Sequence, residues 1–156
     1  MNLSPESRKQ ADRYLDEHAE QPMQLGQRLA EQIGRGTDDQ IAKKVMSQLR
    51  GLQVQAMSGA RFADIEDYIM GRLGRETQKE SLWREQLEGT ARGRCSFGDL
   101  MLERLGEIRK QAKELANQAE KQDEHFDVAI YIARSWIRRM VAAYLYWQSV
   151  PGRPCR

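Results

Sequence analysis

Two histidines, two cysteines and a few acidic clusters are the residue types in this 156-residue chain that could support chemistry. Metal binding is the first possibility to test. A di-metal helical bundle takes Glu from two helices and a Glu-x-x-His motif from two others. Here Leu15 stands three positions before His18 and Gln122 three before His125, so that motif is absent. Cys95 and Cys155 lie far apart and form no CxxC pair, which writes neither a zinc ribbon nor a disulfide framework and suits a reducing cytosol. Asp64, Glu66 and Asp67 fall at helical spacing and read as a solvated face rather than a divalent-ion site. GxxxxGK[ST] and a GxGxxG following a strand are both missing, so no nucleotide cradle is expected. The sequence implies no metal and no cofactor.

Arginine is the more informative residue. It outnumbers lysine eighteen to seven, and its planar fork suits phosphate and carboxylate recognition. Net charge is only +2, but from Val128 onward the chain carries Arg134, Arg138, Arg139, Arg153 and Arg156 and no Asp or Glu. On a helix Arg134 and Arg138 form one i, i+4 line, Ser135 and Arg139 the adjoining one, with Tyr131 and Tyr146 near the two ends. Arginine interleaved with aromatic rings fits RNA, the guanidinium meeting phosphate and the ring meeting base or sugar. Arg109, Lys110 and Lys113 on the preceding helix extend this strip. The competing expectation is that these arginines are spent on Glu103, Glu107 or Glu114 of the neighbouring helix. The glycine-rich stretch around Arg92 and Arg94 reads as a surface loop.

The segment from Arg13 to His18 spells R-x4-H and resembles the short motif of the HEPN family of all-helical ribonucleases. The resemblance implies a histidine that handles protons and an arginine that stabilises the phosphorane oxyanion. It departs from the family in having Tyr14 where a polar residue usually follows the arginine, and in lying on the opening helix. A DNA-reading helix-turn-helix between Gln40 and Met57 would need its turn glycine near Met46; Gly51 comes five residues late.

The elements that would hold these residues are helices. Valine, isoleucine and threonine together number sixteen, too few for a sheet-based fold, and no proline falls between Pro22 and Pro151. Apolar residues make up 40%, above the disordered regime. Ser4–Pro5 opens a first helix with Ala11, Tyr14, Leu15 and His18 on one side. Gln21–Pro22 restarts a second, with Met23, Gly26, Leu29 and Ile33 on a face ended by Gly34 and Gly36. Thr37 to Gln40 is a capping box leading into Ile41, Val45, Leu49, Leu52 and Ala56, with Gly51 a candidate kink. Phe62, Ile65, Ile69 and Leu73 mark a fourth helix. Thr77 to Glu80 is a second capping box, opening a short helix around Leu82, Trp83 and Leu87. Met101, Leu105, Ile108, Ala112, Leu115 and Ala119 repeat in strict heptads. A last helix runs from about Glu124 to Ser149 with two apolar faces, including Phe126, Trp136, Tyr144 and Trp147. A helix this apolar is central in its bundle or forms an oligomer interface.

The expected architecture is therefore an all-α helical bundle in a single domain over 1–156. A short-helix half (about 4–88) leads through an irregular loop (89–98) to a long antiparallel helical hairpin (about 99–149) and a flexible basic tail (150–156). The opening residues lack a signal-peptide core, and the longest apolar run, Met140 to Trp147, is too short to cross a bilayer. A cytoplasmic protein is expected.

Two segments add a resemblance. Ser47-Gln48-Leu49-Arg50 is similar to the Thr/Ser-Gln-Ile-Arg opening of the helical small subunit of type III CRISPR–Cas effector complexes, and Met140-Val-Ala-Ala-Tyr144-Leu-Tyr146 looks like that subunit's closing helix. Leu145 departs from the pattern where a histidine is often found. The resemblance implies a non-catalytic protein of antiviral defence that stacks in copies within a ribonucleoprotein complex and steadies RNA by sequence-independent backbone contacts. Arg50, Arg138 and Arg139 are the residues it carries over. The alternatives are a helical adaptor that binds only protein, self-associating through the heptad stripe, and a HEPN-like ribonuclease using Arg13 and His18.

Overall fold

The computed structural model describes residues 3–34, 39–58, 61–75, 82–90 and 93–149. It is an all-α helical bundle. Helix α1 (Pro5–Glu17) starts where the capping signal places it: the Ser4 hydroxyl accepts from the Ser7 amide at 3.2 Å, with Pro5 in the first turn. α2 (Glu20–Leu29) continues into a wider π turn, Ala30–Gly34. α3 (Asp39–Met57) and α4 (Phe62–Arg75) follow. The C-terminal pair is α5 (Phe97–Gln118), capped by Ser96, and α6 (His125–Gln148).

The turn between α5 and α6 is a Schellman motif. The Lys121 amide donates to the Ala116 carbonyl at 2.8 Å and the Glu120 amide to Asn117 at 3.0 Å. Glu120 adopts the left-handed conformation this requires, φ 58°, without being glycine.

α6 is the centre of the bundle, packing against α1, α2, α3, α4 and α5. Its two apolar faces explain why: Ile132, Ala133, Trp136, Ile137, Met140, Val141 and Tyr144 are all buried, and they look outward to different neighbours. The heptad residues Met101, Leu105, Ile108, Ala112 and Leu115 are buried too. That stripe is consumed inside the chain, which removes it as a dimer seam. Tyr144 carries its hydroxyl into this interior with no hydrogen-bond partner among the described residues.

Two glycines act through close approach. A Cβ on Gly26 would stand 2.7 Å from Ala143 Cβ and 2.8 Å from the Tyr144 amide nitrogen, so α2 lies backbone to backbone on α6. Gly51 faces the Tyr68 hydroxyl. It neither kinks nor divides α3, which is one uninterrupted helix, so the segment Gln40 to Met57 holds no helix-turn-helix turn.

The region between the two halves differs from expectation. In place of a short helix and an irregular loop there is a 3₁₀ turn, Leu82–Arg84, and an antiparallel hairpin of β1 (Gln86–Thr90) and β2 (Gly93–Ser96). Leu87 and Cys95 are cross-strand partners and both are buried, so the pairing hides two apolar side chains. Trp83 packs beneath, 5.4 Å from Phe97 and edge-on to Tyr68 at 6.0 Å. The long hairpin consequently starts at Phe97 rather than about 99. Met23 and Phe126, placed on core faces by periodicity, are half or more exposed. The capping-box residues Thr37 and Thr77, Gly36, Arg92, Cys155, Arg153, Arg156 and the rest of the 150–156 tail lie outside the described residues. Among the described residues no helix is long and apolar enough to cross a membrane.

Candidate nucleic-acid interface

The described arginines of α6 separate into different roles because α6 has different neighbours on its two flanks. Arg134 turns toward α3: its Nε donates to the Ala56 carbonyl at 2.7 Å. That carbonyl belongs to the last turn of α3, which carries the negative end of the helix dipole, so a guanidinium there is a cap. Arg134 is thereby half-buried and committed to structure. Arg138, one turn on, is exposed and lies beside Met57, Nη2 to Sδ at 3.8 Å. Neither reaches a carboxylate among the described residues. Of the three competing partners, Glu103, Glu107 and Glu114, Glu107 is taken by Arg104 at 3.0 Å.

α3 carries charge of its own, on its solvent face. Its buried face is Val45, Leu49, Leu52 and Ala56, and the opposite line, Lys43, Ser47, Arg50 and Val54, is exposed. From Gln40 to Ala63 the chain has no Asp or Glu. The acid-free parts of the two helices, 40–57 in α3 and 128–148 in α6, belong to elements packed side by side, with Arg134 and Arg138 at the junction. Lys43 and Arg50 stand two turns apart, about 10 Å along the axis, and Arg50 stands another ~10 Å from Met57. The first acid-free stretch is legible in the sequence, but Asp38 and Asp39 just before it and Asp64 just after it hide it from any charge balance taken over a longer window.

The other flank of α6 faces α1 and is mixed in charge. Tyr131 donates its hydroxyl to Asp12 Oδ1 at 2.6 Å, and the Arg8 guanidinium lies 5.8 Å from its ring centre. That hydrogen bond, helped by burial, raises the Tyr131 pKa above its ordinary value. Tyr131 is a tie between α6 and α1 rather than a free platform for a base. Arg139 lines a groove of about 350 Å³ between the two helices, together with Asp12, Asp16, His18 and Ser135. Its surroundings therefore differ from those of Arg138, although the two are adjacent in sequence.

The other predicted positions fall elsewhere. Arg109 pairs with Glu66 of α4 and covers the Phe62 ring at 5.1 Å, so it too is structural. Lys110 and Lys113 are exposed on α5, which packs on α1, α4 and α6. Tyr146 is 47% exposed and meets Trp147 edge-on at 5.3 Å. With Ala142 and Leu145 it makes an exposed, largely apolar continuation of the strip.

Arg13 and His18 do not converge. Five residues apart on a helix they point about 140° away from each other. Arg13 pairs with Glu17 at 3.1 Å, while His18 Nδ1 donates to the Tyr14 carbonyl at 2.9 Å and its ring stacks on Tyr14 at 4.2 Å. Within the chain the two side chains of the R-x4-H segment thus take separate partners. Asp64 is held by Arg61 at 3.2 Å, and the Arg61 side chain and amide lower its pKa by hydrogen bonding. No group of three metal-binding side chains occurs among the described residues.

No family model, curated protein or solved structure matches the chain.

Proposed function

We propose that the protein is a non-catalytic, RNA-contacting subunit of a larger assembly, holding the RNA backbone along the seam of α3 and α6. The observation that supports this is the adjacency of an acid-free stretch of α3, from residue 40 on, and one of α6, from residue 128 on, whose exposed cations, Lys43, Arg50 and Arg138, lie on their outer sides. Cations clustered where the chain carries few acids raise a local positive potential that overall charge conceals. Binding of this kind neutralises phosphates and releases counterions, so it weakens steeply with salt and carries little sequence preference. The apolar continuation at Leu145 and Tyr146 suits a neighbouring protein subunit. The similarity of Ser47–Arg50 and Met140–Tyr146 to the small subunit of type III CRISPR–Cas complexes agrees with this role and adds the expectation that copies stack along the RNA.

The test is fluorescence anisotropy of labelled single-stranded RNA at two salt concentrations. The wild type binds at low salt and loses affinity steeply as salt rises, and the double variant R50E/R138E binds at least tenfold more weakly. Absence of wild-type binding at low salt overturns the reading, as does binding that the double reversal leaves unchanged. RNA is recovered intact after incubation; cleavage that His18→Ala abolishes would overturn the non-catalytic assignment.

A further inference from the structure

We infer that the groove between α1 and α6 binds a free basic α-amino acid, the ligand's carboxylate meeting Arg139 and its two cationic groups meeting Asp12 and Asp16. The cavity, about 350 Å³, falls within the range of small-molecule sites, and Leu15, Pro22 and Trp136 give it an apolar floor. Its charged groups, Asp12, Asp16 and Arg139, are exposed to the solvent in the groove. Asp16 and Arg139 both line the groove, yet neither has a hydrogen bond or ion pair among the described residues. Opposite charges that share a cavity without meeting leave room for a ligand between them. Asp12 spends Oδ1 on Tyr131 and keeps its second oxygen. Asp12 and Asp16 are four apart on α1, which sets their Cβ atoms about 5–6 Å from one another, close enough to serve one extended ligand.

The charge balance selects the ligand class. The carboxylates outnumber the guanidinium two to one, so the complement is a molecule with two cations and one anion. Free arginine and lysine have that composition, and their methylene stems can lie along the apolar floor. A carboxylate facing Arg139 can form the two-pronged pair that the guanidinium fork favours. His18 holds its Nδ1 against the Tyr14 carbonyl, which leaves the other ring nitrogen and the Ser135 hydroxyl to orient polar atoms of the ligand. A polyanion meets two carboxylates here and is disfavoured, so this site does not depend on the proposed RNA seam.

The inference is tested by calorimetric titration of the full chain with L-arginine, L-lysine, agmatine (arginine without its carboxylate) and L-glutamate. Arginine or lysine binds, agmatine binds at least tenfold more weakly, and glutamate does not bind. R139Q lowers arginine affinity to that of agmatine and leaves agmatine unchanged, while D16N weakens both. Both side chains lie outside the core, so these variants keep the wild-type far-UV spectrum and melting temperature. Failure of arginine and lysine to bind at millimolar concentration overturns the inference, as does equal affinity for arginine and agmatine. R50E/R138E retains amino-acid binding, so loss of RNA binding and loss of this site are separable results.

Discussion

The two flanks of α6 differ in a way that the helix itself does not encode. Toward α3 its arginines meet a stretch with no acid, and one of them, Arg134, closes the end of that helix by bonding Ala56. Toward α1 the adjacent side chains meet Asp12 and Asp16, and the flank is tied by a tyrosine–carboxylate bond at Tyr131 and bears a polar groove. One short run of basic residues thus produces a uniformly positive seam on one side and a mixed-charge cavity on the other. The character of a surface cation is set by the helix packed next to it, which is why counting charge along α6 alone merged two regions.

The comparison is broken most severely by disturbing the helix that walls the groove without touching α3. Gly26 carries α2, and with it Pro22, onto the α6 backbone. Gly26→Ala forces a methyl into the space held by Ala143 Cβ and the Tyr144 amide, and overpacking of this kind costs roughly 1–3 kcal/mol. At the upper end of that range the thermal midpoint falls by several degrees. Ligand binding in the groove falls more than RNA binding on the α3 seam, because α3 is held to α6 through separate contacts.

Much of this scaffold could be read in advance. The heptads of α5, the Ser4–Pro5 start and the two-faced burial of α6 follow from periodicity and capping, which are local properties. The hairpin could not be read the same way: its stability rests on Leu87 meeting Cys95 across eight residues, and neither strand shows alternation long enough to signal itself. Met23 and Phe126 failed for a related reason, since an apolar residue near a helix end matches the period whether or not a neighbour reaches it. For the site, the sequence located Arg138 and Arg50 but could not assign Arg134 or Arg109 to structure. Their partners, Ala56 and Glu66, come from helices distant in sequence.

A finer separation of the flanks comes from reversing charge at adjacent positions. Arg138→Glu places an acid in the acid-free seam and weakens RNA binding about tenfold at low salt, equivalent to about 1.4 kcal/mol. Arg139→Glu acts where two carboxylates already stand and changes RNA affinity no more than about threefold, measured by the same anisotropy titration. Equal losses from the two reversals would mean that the flanks are one surface.

Two substitutions in the framework beneath both flanks have smaller effects and opposite sign to the usual mutation. Tyr144→Phe removes a buried hydroxyl that has no partner among the described residues, and burial already pushes the Tyr144 pKa up by disfavouring the phenolate. The expected gain is about 1 kcal/mol, read in denaturant unfolding. Glu120→Gly relieves a left-handed residue in the α5–α6 turn, and a similar gain of about 1 kcal/mol is expected by the same measurement. Neither change alters the RNA seam or the groove, so affinity at both is unchanged.

The gentlest way to part the flanks is with acid, because they are anchored by different chemistry. The start of α1 is held by Glu124: the Ser4 amide donates to Oε1 at 2.6 Å and the Ser7 hydroxyl to Oε2 at 3.2 Å. The Ser4 amide bond is the principal cause of a Glu124 pKa below its ordinary value, and the Ser4 and Ser7 side chains add to it. A carboxylate whose folded pKa is depressed contributes its stabilisation in full above the unfolded-state pKa and loses it as pH falls through the folded one. The anchor of α3 is the Arg134 guanidinium on a backbone carbonyl, a contact that contains no carboxylate. On acidification below about pH 4.3, the ordinary value for a glutamate, the Ser4 and Ser7 amide resonances shift toward those of a frayed helix start. Those at the end of α3, Ala56 and Met57, follow only at global unfolding. Glu124→Gln removes the early α1 transition while leaving the α3 end unchanged, and simultaneous titration of both ends in the wild type would show that one anchor serves both flanks.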